Sequence, residues 1–236
     1  MTLAPQMKNP FTGVSHRFPL ITAADPGEHK GYALADSEDI VERKTLRTPR
    51  IVAIGTSLTP ILNRLELPGL DRNRRPMWGC VELQYTARVT TGEIAADSIV
   101  KLAFRAGYMV RELADPQGVD ACELFAATPH RWKCTVWPKG DGMRKDAFCE
   151  KVKRQLTADE LELLRIALEP YSEAERATRI LDLLDAIGIA WALYLALHNS
   201  DAGRDLEQWR IWPDRILPKA GKRNTINARE LKKLRV

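Results

Sequence analysis

The stretch SEAERATRILDLLDAIGIAWALYLALH, Ser172 to His198, carries a helical pattern whose first half is charged and whose second half is almost continuously apolar. Such a helix starts on the surface and then plunges into a core that the rest of the chain must build. The chain is long enough to build one: 236 residues, 44% hydrophobic and 28% charged, are ordinary globular composition. Two acids, Asp182 and Asp185, are embedded in this pattern among apolar residues. Their spacing of three stacks them a turn apart on one face, where unpaired carboxylates are costly unless something cationic meets them.

The material around that helix reads as sheet first and helices later. PLITAAD is a short continuous apolar run that predicts a central strand ending on Asp25, and KGYALAD alternates like a neighbouring strand. Pro26-Gly27 between them forces a tight connection, and DIVERKTLR is expected as the third strand of a meander. From Thr48 to Met77 the pattern is the least readable: RIVAIGTSL fits a strand or a helix start, and ELPGLDRNRRP has the residues of an exposed loop. WGCVELQY then predicts a buried strand carrying Glu82, and ACELFAATP a further strand closed by Pro129.

Helices are expected at ADSIVKLAFRAGYMVREL, capped by Asp97 or Ser98 with Ile99, Leu102, Ala103 and Ala106 at helix spacing, and at MRKDAFCEKVKRQL, with a basic face. TADELELLRIAL opens with Thr157 and Glu160 at capping-box spacing. The sum is an α/β fold, a mixed five-stranded sheet with an antiparallel meander flanked by helices. Residues 1–17 read as an N-terminal arm, 18–200 as the folded domain and 201–236 as a basic C-terminal extension.

Four acids share one kind of setting: Asp25 at a strand end, Glu82 inside a strand, and Asp182 with Asp185 on the late helix. Singly, each has a plain reading as a turn former, a solvated strand residue or a partner of Arg176 or Arg179. Together, without cations, they would repel and titrate upward, whereas two divalent ions would hold all four ionised. Oxygen-only ligands without His or Cys point to magnesium, with manganese as the other candidate. Two such ions activate water and stabilise a leaving oxygen at a phosphodiester. On that reading Pro26-Gly27 keeps the turn small and bare, so that metals and a phosphate can come close.

ITAADPGEHKGYALAD, WGCVELQ, TPHRWKCTVWPKGDGMRKDAFCEKV and DLLDAIGIAWAL, in that order, resemble the RuvC family of Holliday-junction resolvases within the RNase H-like superfamily, from about Phe18 to His198. The resemblance implies an RNase H-like fold, with the catalytic acids, and so the ligands of two Mg2+ or Mn2+ ions, at Asp25, Glu82, Asp182 and Asp185. It places a basic segment near the scissile phosphate at Arg131, Lys133, Arg144 and Lys145, with Lys145 the favoured phosphate contact or transition-state cation. It also implies a homodimer that cuts four-way DNA junctions at two symmetric strands during recombination and repair. The arm, the extension and the Thr48 to Met77 interval look more like a phage or otherwise divergent member. Alternatives are a broader RuvC-like nuclease acting on forks, flaps or other branched DNA, and a noncatalytic RNase H-like module that binds DNA or assembles a larger machine.

The charge balance suits a polyanion. Net charge is +5, and residues 201–236 hold ten Lys/Arg against five Asp/Glu, so the excess sits at that end. Arg72, Arg74 and Arg75 in LDRNRRP join the basic segment as expected DNA contacts. Trp132, Trp137, Trp209 and Trp212 accompany these charges, either to stack on opened bases or to pack the late helix or a dimer seam. The cysteines lack metal spacing and are expected as reduced thiols. No apolar run approaches the roughly 18 residues of a membrane span, and MTLAPQMKNP lacks a secretory core, so the expected setting is bacterial or phage-infected host cytoplasm without membrane contact.

Overall fold

The computed structural model describes residues 7–8, 15–16, 19–66, 77–83, 96–114, 124–138, 140, 143–198 and 209. In the arm, β1 (Met7–Lys8) and β2 (Ser15–His16) pair antiparallel. The core sheet is formed by β3 (Leu20–Asp25), β4 (Gly31–Glu42), β5 (Arg47–Gly55), β6 (Met77–Glu82) and β7 (Leu124–Ala127), in the order β5-β4-β3-β6-β7. The first three are antiparallel neighbours, while β3, β6 and β7 run parallel. This is a mixed five-stranded sheet with an antiparallel meander on one side, as the strand pattern predicts.

Strand periodicity sorts the residues onto two faces. Ile21, Ala23, Ala33, Ala35, Trp78 and Cys80 point to one face, and Leu20, Ala24, Tyr32, Leu34, Met77 and Val81 to the other. The second face is covered by α1 (Thr59–Leu65) and α2 (Ala96–Ala114) through Ile61, Ala106, Met109 and Leu113. The first is covered by α3 (Pro129–Val136), α4 (Lys145–Lys153), α5 (Ala158–Leu168) and α6 (Glu173–His198). α6 is exposed over its first turns and buried from Asp182 to Tyr194, as its two-part sequence demands. It is long and apolar enough by composition to cross a membrane, but 78% of its apolar window is buried inside the protein.

Several expectations need correction. DIVERKTLR is not a third strand: β4 continues through Glu42 across register shifts at Leu34/Ala35 and Asp36/Ile40, and β5 starts at Arg47. The turn falls at residues 43–46 because Arg43 is drawn inward. Its guanidinium meets Glu160 of α5 at 2.7 Å through both nitrogens, with both side chains fully buried, and lies 4.4 Å from the centre of the Trp191 ring. Glu160 also completes the expected capping box with Thr157. On α2, Asp97 and Ser98 fall inside the first turn, and Ala103 is exposed; the face that packs runs through Ala106, Met109 and Leu113. Trp209, within the stretch expected as an extension, belongs to the core, and its carbonyl accepts from the Ala126 N–H.

Candidate active site

Asp25 and Glu82 reach one place because period-2 alternation carries them there. Asp25 follows Ile21 and Ala23, and Glu82 follows Trp78 and Cys80, so both point to the α6 face. The parallel register pairs Leu20 with Met77 through Ala24 with Val81, and its next step sets Asp25 beside Glu82 at the carboxyl ends of adjacent strands. Over these ends crosses α6 with Asp182 and Asp185. All four acids are buried, at 2 to 4% exposure.

The close passage of α6 depends on two glycines. A Cβ on Gly31 would lie 2.1 Å from the Asp182 carbonyl oxygen, and one on Gly27 2.5 Å from the Asp182 carboxyl carbon. The bare turn therefore admits the Asp182 side chain itself, rather than leaving space for a phosphate. The residue with left-handed backbone in this turn is Lys30, at φ 57°. The turn orients two carboxylates through its N–H groups: Gly27 donates to Asp25 Oδ1 at 3.1 Å and His29 to Asp182 Oδ2 at 3.0 Å.

Lys145, the first residue of α4, brings the compensating charge. Its Nζ stands 2.7 Å from Asp182 Oδ1, 3.2 Å from Asp185 Oδ2 and 3.9 Å from Asp25 Oδ2. Its stem is open to solvent, with 44% of the side chain exposed, so the ammonium enters the acid pocket from outside. Glu82 Oε2 accepts the indole N–H of Trp132 at 2.7 Å, and the Cys149 thiol donates to Asp185 Oδ1 at 3.5 Å.

One cation does not balance four buried acids. Burial, then the charges of Glu82 and Asp185, push the Asp25 carboxyl well above the usual range against the pull of Lys145. Burial and Asp185 push Glu82 up to about 7, opposed by the Trp132 hydrogen bond, Lys133 and Lys145. Burial raises Asp185 against Lys145 and Lys133. Burial would lower the Lys145 ammonium, but Asp185, Asp25 and Asp182 more than reverse that and raise it.

The donor set fits a hard divalent cation. Its oxygens are all carboxylate, Asp25 Oδ2 is buried with no hydrogen-bond partner among the described residues, and Asp25 stays raised despite the nearby Lys145 ammonium. A ready-made cage is not present: no three of the described His, Cys, Asp and Glu side chains are set to hold one ion, and the Lys145 ammonium stands among the carboxylates.

The other basic candidates are placed differently. Lys133 acts on Glu82 and Asp185 through its charge, its Nζ 5.2 Å from the ring centres of Trp132 and Phe148. Arg144 is exposed and pairs with Asp146 at 3.0 Å. Arg131 lines a cleft with Cys134, Leu195, His198 and Trp209, whose lining includes none of the four acids. Arg72, Arg74, Arg75 and Trp212 lie outside the described residues.

Base stacking by Trp132, Trp137 or Trp209 is overturned, since these rings are 0, 5 and 1% exposed. Residues 129–136 of the basic segment form α3, started by Thr128, whose hydroxyl accepts the Arg131 N–H, and by Pro129 at the helix start. The Thr-Pro pair was a readable helix-start signal. Nothing in the sequence pointed to the roles of Trp132 and Cys149 beside the acids, which only tertiary contact creates.

No family model matches this chain, and no curated protein does. Among solved structures, T. thermophilus RuvC in complex with a Holliday junction substrate is similar over 75% of this chain and 94% of its own, with 18% identity and a TM-score of 0.39. So loose a likeness bears on no individual residue.

Proposed function

We propose that this protein is a divalent-metal-dependent endodeoxyribonuclease of branched DNA, and within that class a homodimeric resolvase of four-way junctions. The observation that carries the reading is the convergence of four buried carboxylates from β3, β6 and α6 on one pocket with the Lys145 ammonium among them. Burying that much like charge costs several kcal/mol unless a cation or a reaction uses it. The junction and the dimer rest on the ordered motifs that resemble the RuvC family.

Asp25, Glu82, Asp182 and Asp185 would hold two Mg2+ or Mn2+ ions. Bound there, such a pair supplies Lewis acidity that activates water and offsets charge on a phosphodiester. The turn amides of Gly27 and His29 keep two of the carboxylates oriented. Lys145, which enters from the solvent side, would be freed by neutralisation of the acids to offer its ammonium to the DNA phosphate. Lys133, Arg131 and Arg144, with Arg72, Arg74 and Arg75, supply positive charge for the DNA backbone.

The test is incubation of wild type and Asp25→Asn with labelled four-way, three-way and linear DNA, with and without Mg2+. Paired nicks confined to the four-way substrate, dependent on Mg2+ and absent in Asp25→Asn while junction binding persists, are expected. Nicks on every branched DNA would replace the resolvase with a broader nuclease. Binding without any cutting would make the chain a noncatalytic module, and undiminished cutting by Asp25→Asn would remove these carboxylates from the chemistry.

A further inference from the structure

We infer that Trp132 is a positioning residue that sets the Glu82 carboxylate against the aspartates of α6. The inference rests on the metal-dependent reading above. Asp25, Asp182 and Asp185 are all reached by the Lys145 ammonium, within 3.9 Å. Glu82 is held differently, by the Trp132 indole N–H on its Oε2 at 2.7 Å.

The ring that makes this bond is fixed on several sides. Trp132 is fully buried and packs edge-to-face on Phe148 at 5.1 Å and 87°. It also lies directly on the backbone of α6, because a Cβ on Gly188 would come within 2.7 Å of its Cζ3. Gly188 is one turn beyond Asp185, so the indole spans the gap between the strand that carries Glu82 and the helix that carries the other pair. The neighbouring Lys133 places its charge beside the same group, 5.2 Å from the Trp132 ring.

A buried tryptophan often finds an acceptor simply to satisfy its N–H. That habit is not uniform in this core: Trp137 donates to the Thr45 hydroxyl at 3.4 Å, whereas the indole nitrogens of Trp78 and Trp191 are buried with no hydrogen-bond partner among the described residues. Trp132 differs from them in meeting a carboxylate of the acid pocket. A partner that orients a metal-binding carboxylate typically changes metal affinity by about tenfold to a hundredfold when it is removed.

The experiment is titration calorimetry of the metal-free protein with Mn2+ in the absence of DNA, on wild type, Trp132→Phe, Gly188→Ala and Glu82→Gln. Each is also followed by thermal melting, so that affinities refer to folded protein. Trp132→Phe keeps an aromatic ring but loses the N–H; Gly188→Ala keeps the N–H but displaces the ring, and serves if the first variant folds poorly. Both are expected to weaken Mn2+ binding about tenfold or more, in the direction of Glu82→Gln, and to lower kcat on junction DNA with KM little changed. Wild-type Mn2+ affinity in both, with Glu82→Gln weakened, would reduce Trp132 to core packing and overturn the inference while leaving the proposed nuclease standing. Failure of wild type itself to bind Mn2+ would bring down both.

Discussion

Single residues decide whether the acid pocket is tolerable. Lys145 offsets part of the charge of three carboxylates, so Lys145→Met should lower the metal-free melting temperature more at pH 8 than at pH 5, because the raised Asp25 and Asp185 lose charge as pH falls. Equal losses at the two pH values would show that the ammonium does not compensate them. The same variant should cut junction DNA about a hundredfold more slowly. The two glycines under α6 separate function from stability. Gly27→Ala presses closest on the end of the Asp182 side chain, so it should fold nearly as wild type and cleave poorly. Gly31→Ala presses on α6 backbone and should cost about 1–3 kcal/mol or more in urea denaturation. Wild-type stability for Gly31→Ala would mean that strand and helix are not in the contact described.

At the scale of elements, the turn between β4 and β5 shows how a buried charge redraws a boundary. Read locally, DIVERKTLR alternates and looks like a separate strand; in the fold, Arg43 leaves that pattern to meet Glu160. The guanidinium also donates to the carbonyls of Gln155 and Pro49 and to the Thr48 hydroxyl, while Glu160 accepts the Ile51 N–H. This pair ties the meander to the start of α5. Glu160→Gln leaves a buried guanidinium without its counter-charge and should cost about 3–5 kcal/mol, measured by chemical denaturation, whereas replacing both partners by methionine should recover much of that. A loss below about 1 kcal/mol for the single change would place the pair in water. The helix start at Thr128-Pro129 was legible by capping rules. The partner of Arg43, over a hundred residues away, was not.

For the whole molecule, two sets of carboxylates pull stability in opposite directions with pH. Glu160 is held below its ordinary value by Arg43 and by the Ile51 and Thr157 amides, against burial; its contribution is present above the unfolded carboxyl pKa and is lost as pH falls below it. Glu82, pushed up to about 7, behaves in the reverse way: the unfolded chain releases this proton more readily, so stability falls as pH rises from the ordinary carboxyl range towards 7, and Asp25 and Asp185 act in the same sense. Metal-free protein should therefore melt highest in mildly acidic solution, and Mg2+ should raise the melting temperature more at pH 8 than at pH 5. A metal-free curve that climbs steadily to pH 8 would contradict the buried acids. The sequence by itself determined the strand that ends on Asp25, the buried strand that carries Glu82, the half-buried late helix and the capping box, because each follows from spacing along the chain. Only the tertiary structure decided that Lys145 stands among the aspartates, that Trp132 holds Glu82 and that Arg43 is buried. Those contacts depend on distances between segments remote in sequence, set by strand register and by how closely α6 can approach the sheet over Gly27 and Gly31.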